Sequence, residues 1–405
     1  MLAASPKHAL STISPDILVK YETTKPPGGE HAPQLISRPT RIKELDGLRG
    51  VAILLVLACH GAFQLQPSSK ILSDLVILGR LTWSGVDLFF VLSGFLIGGI
   101  LLDVRDSPAY FKTFYLRRAY RILPLYSIVL VLFSLRFVQR HAGPLGYFSE
   151  SEIPWFSYFT FTQNFWMAGL GSFGAGTMAA TWSLAVEEQF YLTVPLIVRT
   201  ITREKLVVVL LSVVAGAPLL RTILYLGFRN GRFADYVLMP CRADALSLGV
   251  LVALLVRTPR WWRLVLQKRQ ILRRSAWTLL AGVVVLTLRG SSSSGPMVTI
   301  GYSWLAYFYT CILLVALTGA SRFVQRVLRN PVLIKFGVLA YAIYLFHLPF
   351  MEATRRALGL RFTYSSDAIQ FWGGWLGIGL ALVCAMLSWK YLEQPLLRKG
   401  HSYKY

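Results

Sequence analysis

Apolar runs of about 20 residues, repeated along the chain and separated by short loops, constrain this sequence more than any other feature. A hydrocarbon core of ~30 Å takes about 20 helical residues to cross. Lipid-exposed backbone at that depth must pair all of its N–H and C=O groups. The runs fall at roughly 46–66, 76–102, 119–138, 181–200, 205–224, 237–256, 275–289, 299–319, 334–354 and 368–391. They predict an all-α polytopic membrane protein with about ten transmembrane helices. Composition agrees: only 15% of the residues are charged and 55% are hydrophobic, whereas soluble domains carry about a quarter charged residues.

The loops orient the spans. One set holds Arg105, Lys112, Arg117, Arg118 and Arg121, then Arg199, Arg203 and Lys205, then the dense run from Arg257 to Arg274. It continues with Arg322, Arg326, Arg329 and Lys335 and ends with Lys390, Arg398, Lys399 and Lys404. The other set holds Lys70, Arg140, Arg229, Arg232, Arg355, Arg356 and Arg361. Cytoplasmic loops are the basic ones, so both termini are expected in the cytoplasm, which requires an even number of spans. The same rule accounts for most of the net charge of +23, and no nucleic-acid partner is expected.

Residues 1–40 contain Pro26, Pro27, Gly28 and Gly29 and have no apolar core region. They read as a flexible cytoplasmic tail rather than a cleaved signal peptide. Residues 41–398 read as one membrane domain and 399–405 as a short cytoplasmic tail. Cys59, Cys241, Cys311 and Cys384 lie in or beside spans without a C-x-x-C, so they read as reduced structural residues, and no metal site is expected. The long segment 139–180 is expected on the outer side. Its stretch "IPWFSYFTFTQNFW" suits either an interfacial aromatic belt or a surface that stacks on a sugar ring. No internal repeat is visible, which weighs against a transporter built from two related halves.

Ionisable residues inside apolar spans are costly and therefore mark candidate sites. In "ELDGLRGVAILLVLACHG" (44–61), Asp46 and Arg49 are i, i+3 neighbours. Arg49 and His60 lie on nearly one helix face, about 16 Å apart along the axis. His60 is the natural general base, because a neutral imidazole accepts a proton near physiological pH. In "GVDLFFVLSGFLIGG" (85–99), Gly94 and Gly98 form a small-xxx-small packing pattern, but packing does not explain Asp87 or Ser93. Arg117, Arg118 and Arg121 in "YLRRAYRILPLY" make a basic face suited to phosphate. In "TWSLAVEEQFYL" (181–192), Ser183, Glu187 and Tyr191 form an i, i+4, i+8 stripe, with Glu188 on another side. Arg242 and Asp244 stand at the start of a later span, His347 lies within one with Tyr341 and Tyr344 nearby, and Glu393 sits at the last helix exit.

Taken together, these blocks resemble the acyltransferase-3 family of integral membrane O-acyltransferases. "LDGLRGVAILLVLACH" (45–60) matches the family's opening. "GVDLFFVLSGFLI", "RRAYRILPLY", "TWSLAVEEQFYL", "YAIYLFHLPF" and "YLEQP" match later blocks in order, over about residues 44–396. The departures are small: Ala185 stands where Ser is frequent, and Phe346 where Trp is frequent. The resemblance implies a ten-helix domain in the cytoplasmic (inner) membrane. It transfers an acyl group, acetyl above all, from cytoplasmic acyl-CoA to a hydroxyl of a carbohydrate or glycolipid. Longer members carry an SGNH-type domain after the last helix; this chain ends soon after that helix, so a relay to the far side is expected to use the membrane domain or a separate protein.

On that basis the expected roles are His60 as base, oriented by Glu187, with Ser93 or Tyr191 steadying the oxyanion. Arg49, Arg117, Arg118 and Arg121 hold the CoA phosphates. Asp46, Asp87, Glu188, Arg242, Asp244 and His347 support the site. A covalent acyl-enzyme, a secondary-metabolite sugar as acceptor, and a flippase of lipid-linked sugars stay open as alternatives. The sequence leaves the oligomeric state open.

Overall fold

The computed structural model describes residues 42–61, 79, 81–140, 153–289, 293–358 and 368–405. The expected tail at 1–40, the loop cations Lys70 and Arg361, and residues 141–152 of the long loop lie outside these. Among the described residues all regular structure is helical. The elements are α1 (Lys43–Gly61), α2 (Gly85–Asp103), α3 (Tyr110–Arg140), α4 (Trp155–Phe159), α5 (Gln163–Leu170), α6 (Thr181–Thr200), α7 (Arg203–Gly227) and α8 (Gly231–Val237). They continue with α9 (Met239–Val256), α10 (Pro259–Gln267), α11 (Arg269–Arg289), α12 (Tyr302–Thr318), α13 (Arg322–Leu328), α14 (Pro331–Ala357), α15 (Ala368–Ser388) and α16 (Gln394–Ser402).

A helix meets each apolar run. Among the described residues, 7 helical segments are long and apolar enough to cross a membrane: Thr82–Asp103, Arg203–Gly227, Gly231–Val256, Arg269–Leu288, Met297–Thr318, Pro331–Ala357 and Phe371–Ser402. The helices α1, α3 and α6 stand at expected positions but are not among them. In α1 and α6 the sequence gives the reason: α1 carries Lys43, Glu44, Asp46 and Arg49, and α6 carries Glu187, Glu188 and Arg199; in α3 the cations Lys112, Arg117, Arg118 and Arg121 stand ahead of the apolar run that starts at Ile122. These three helices bring charge into the bundle. The chain is thus an all-helical, multi-pass membrane protein.

Two close helix crossings set the frame. The helix α2 packs extensively on α9, and α14 on α1 and α15. A Cβ on Gly94 would stand 2.0 Å from the Leu246 carbonyl oxygen, and one on Gly249 2.2 Å from that of Val91. Backbone therefore lies against backbone where α2 meets α9, as the small-residue pattern of α2 predicts. At the other crossing, Cβ atoms on Gly47 and Gly50 would stand 2.1 Å from the carbonyl oxygens of Leu328 and Leu333. The glycines of "LDGLRG" let α1 lie directly on the turn from α13 into α14.

Buried ion pairs tie the later helices to this frame. Asp87 of α2 pairs with Arg242 of α9, both nearly inaccessible, and the Arg242 guanidinium lies 4.2 Å from the Tyr302 ring centroid. Arg221 of α7, fully buried, donates to Asp244 at 3.1 Å, to Ser303 at 2.6 Å and to the carbonyls of Cys241 and Val298. The Ser303 hydroxyl in turn donates to Asp244 at 2.6 Å. Arg242 and Asp244 thus act in holding α2, α7, α9 and α12 together.

The last residues of the chain turn back onto α3. A π-turn at Trp389–Glu393 leads into α16, at the point where Pro395 brings no N–H to an α-helical ladder. Glu393 is buried there and accepts from the Ser388 hydroxyl at 3.1 Å. Thr113 and Arg117 of α3 then donate to the carbonyls of Lys404 and Tyr403. Residues 399–405 finish a helix and pack on α3 because these main-chain acceptors meet its polar face.

Candidate active site

The polar residues of the first half gather around two cavities at opposite ends of α1. The first, about 120 Å³, opens between α1, α2, α3, α6 and α14. Arg49, Arg118 and Arg121 line it together with Ser93, Ser183, Glu187 and Tyr191. Its deeper walls are apolar, from Phe89, Leu92, Leu96 and Ile97 of α2. Arg49 donates to Asp46 at 3.2 Å, which leaves the rest of its guanidinium toward the cavity. The i, i+4 spacing of Glu187 and Tyr191 lets the tyrosine hydroxyl donate to Glu187 at 2.8 Å. Ser93 of α2 lies 2.6 Å from that hydroxyl. With the tyrosine proton on Glu187, the serine proton goes to Tyr191, so both hydroxyl donors point along the chain toward the carboxylate. The Arg118 guanidinium lies 5.9 Å from the Tyr191 ring centroid.

The second cavity, about 570 Å³, lies at the other end. Cys59 and His60 of α1, Trp83, Trp182, Tyr236 and Tyr302 contribute to its walls, with Phe173 from a connecting segment and Arg232 and Phe233 from α8. His60 Nδ1 lies 3.0 Å from the Val56 carbonyl. A carbonyl only accepts, so Nδ1 carries the proton and Nε2 is the basic nitrogen. His347 of α14 is arranged alike, with Nδ1 2.7 Å from the Tyr344 carbonyl. It is fully buried, and its Nε2 has no hydrogen-bond partner among the described residues. The two imidazole centroids are 5.0 Å apart.

This partition changes the expected grouping. Arg49, Arg118, Arg121, Ser93, Glu187 and Tyr191 come together, and His60 and His347 come together, but Glu187 does not orient His60. Glu187 lines the arginine cavity and accepts from Tyr191, whereas His60 lines the other cavity and bonds to Val56. Ser93 and Tyr191 belong to the cavity of the arginines, away from His60. Arg117 does not line either cavity: it donates twice to the Tyr403 carbonyl, at 3.1 and 2.6 Å, and lies 4.6 Å from the Tyr405 ring centroid. Glu188 places one carboxylate oxygen in a buried position without a hydrogen-bond partner among the described residues. In the stretch 153–166, Trp155, Phe156, Phe159, Phe165 and Trp166 are exposed, as in an interfacial belt. The wall of the His60 cavity instead takes Phe173, Gly176, Ala179 and Ala180, further along the same segment.

Sequence reading passed over Arg221, although a lone arginine in the apolar run 205–224 satisfies the same rule that marked Asp87. It also treated Tyr344 only as a neighbour of His347. Nothing in local sequence separates this tyrosine from the buried tyrosines of α14 and α12, because its position between the cavities depends on how α14 is turned against α2 and α6. Among the described residues, no three His, Cys, Asp or Glu side chains are grouped to hold a metal ion.

Comparison with known proteins agrees with this architecture. The acyltransferase-3 family model, described as an acyltransferase domain, matches residues 42–390. The peptidoglycan O-acetyltransferase OatA of Listeria monocytogenes is 27% identical over 376 residues, which cover 89% of this chain and 56% of that protein. A putative peptidoglycan O-acetyltransferase of Bacillus subtilis, YrhL, is 27% identical over 386 residues, covering 89% and 55%. A putative O-acetyltransferase of Staphylococcus aureus is 24% identical over 376 residues, covering 89% and 58%. The chain therefore spans just over half the length of these curated relatives. No solved structure matches it.

Proposed function

The chain belongs to the acyltransferase-3 family, and from that premise we propose that it moves an acyl group from acyl-CoA to a carbohydrate hydroxyl, the donor entering one cavity and the acceptor the other. The observation that carries this reading is the His60 imidazole, whose Nδ1–H is held by the Val56 carbonyl and whose ring stands in the wall of the 570 Å³ aromatic-lined cavity. Arg49, Arg118 and Arg121 gather at the opposite end of the same helix.

The steps follow from these groups. Arg118 and Arg121 bind donor phosphates as planar, charge-assisted partners. The apolar wall of α2 guides the acyl thioester toward His60. Nε2 takes the proton of the acceptor hydroxyl, and the alkoxide oxygen attacks the thioester carbonyl. The tetrahedral oxyanion collapses with cleavage of the C–S bond, and the imidazolium returns its proton to the CoA thiolate. Trp83, Trp182 and Tyr236 offer flat apolar faces to the sugar, as they would to any ring with axial C–H groups. Acetyl fits the names of the relatives, and a cell-wall or cell-surface polysaccharide in the inner-membrane setting is the acceptor class they suggest. The basic cavity faces the cytoplasm in this reading, as the loop charges favour. Glu187 serves the donor side by fixing Tyr191 and Ser93.

The test uses the purified full chain with acetyl-CoA and a soluble oligosaccharide acceptor. His60→Gln should lower kcat by about 100-fold or more while CoA binding stays unchanged. Full retained transfer would overturn the base assignment. Acceptor movement across vesicles without acyl-CoA would favour a flippase instead.

A further inference from the structure

The two cavities share two wall residues, Val86 of α2 and Tyr344 of α14. Tyr344 stands at the seam by hydrogen bonding as well as by position. Its hydroxyl donates to the Ala180 carbonyl at 3.0 Å, on the side of the His60 cavity. It also lies 2.6 Å from the Ser183 hydroxyl, on the side of the arginine cavity. With its own proton on Ala180, Tyr344 accepts the proton of Ser183, so both ends of the hydrogen bonding are satisfied. Its ring stands edge-on to Phe89, centroids 6.2 Å apart, and 5.7 Å from the His347 ring. The phenol is therefore held from α6 while its ring fills the space between α2 and α14.

We propose that Tyr344, with Val86 opposite, is the residue that sets the size of the transferred acyl group. This rests on the reading given under Proposed function. A thioester anchored by its phosphates at Arg118 and Arg121 must bring its carbonyl to the Val86–Tyr344 seam to meet an acceptor from the His60 side. The carbon atoms beyond that carbonyl then lie against the tyrosine ring. An acetyl group adds one methyl there; a longer chain must displace a ring fixed by two hydrogen bonds.

The experiment compares acetyl-, propionyl- and butyryl-CoA as donors for the wild type, Tyr344→Ala, Tyr344→Phe and Val86→Ala in lipid nanodiscs. Turnover is read as release of the free CoA thiol, and CoA affinity is measured on each protein. Each methylene in an apolar pocket is worth about tenfold or more in discrimination. Wild type should prefer acetyl. Tyr344→Ala should raise the butyryl-to-acetyl ratio of kcat/KM on the order of a hundredfold, with CoA affinity unchanged. Val86→Ala, which widens the same gap from the other side, should raise it about tenfold and serves if Tyr344→Ala does not fold. Tyr344→Phe keeps the ring and should shift the ratio far less. Unchanged ratios in the folded widening variants, with active wild type, would overturn the size gate alone; so would an equal shift in Tyr344→Phe and Tyr344→Ala. No turnover of any donor by wild type would overturn the transferase reading and the gate with it.

Discussion

Replacing either partner of the Arg221–Asp244 pair should unmask how strongly the later helices depend on buried charge. Arg221 is fully inaccessible and spends its guanidinium on Asp244, Ser303 and two carbonyls of neighbouring segments. Arg221→Met leaves Asp244 as a buried carboxylate with donors only from Ser303 and the Ala245 N–H. Breaking a buried pair from one side costs about 3–5 kcal/mol, because the remaining charge is uncompensated. Asp244→Leu leaves Arg221 buried with carbonyl and hydroxyl acceptors but no carboxylate in direct contact, and should also destabilise strongly. The double variant removes both charges. It still strands the Cys241 and Val298 carbonyls, at about 1–3 kcal/mol for an unmet buried polar group, but it should lose less than either single variant. Independent sites would instead add, to about 6–10 kcal/mol. The assay is reversible unfolding in mixed micelles, followed by tryptophan fluorescence. Additive losses in the double variant would refute the claim that the two side chains compensate one another in the bundle.

Three further outcomes follow from the geometry. Arg118→Ala should weaken CoA binding about 10- to 100-fold, as expected when one charge-assisted contact of about 1.5–3 kcal/mol is lost, whereas kcat at saturating donor should largely survive; calorimetric titration with CoA checks it. Arg117→Ala should leave CoA affinity within twofold, about the measurement error of such a titration, but should release residues 403–405 from α3, seen as faster amide exchange there. Gly50→Val should push α1 from α14, because the new Cβ would stand 2.1 Å from the Leu333 carbonyl oxygen. Overpacking of this kind costs about 1–3 kcal/mol or more, so its thermal stability should fall well below that of a control such as Gly216→Val, where a Cβ meets nothing within 4 Å.

The helices were legible because crossing a bilayer demands long apolar runs and gives loops a charge bias. The count of clear spans was less so: α1 and α6 carry ionisable residues within their spans, and the same charges that mark them as candidates lower their apolarity. Individual site residues were legible for a related reason, since Asp87, Glu187 and His60 each violate the apolar pattern. Their grouping was not. His60 and Glu187 were paired by chemical role, but chain position on two helices does not fix relative height, and the two residues line different cavities. Arg117 and Arg118 are adjacent and chemically identical, yet one binds the C-terminal main chain and the other faces a cavity; only the rotation of α3 separates them. The roles of Gly47 and Gly50 were hidden because each answers to a carbonyl nearly 300 residues away in sequence.

The central claim is that donor and acceptor meet from opposite faces, through the arginine cavity and the His60 cavity. It is tested most directly in proteoliposomes holding the full chain in one verified orientation, with radiolabelled acetyl-CoA confined to the face bearing Arg118 and the sugar acceptor confined to the other. The account predicts label on the acceptor in that arrangement, and its loss in His60→Gln. Labelling only when donor and acceptor share one face would contradict it.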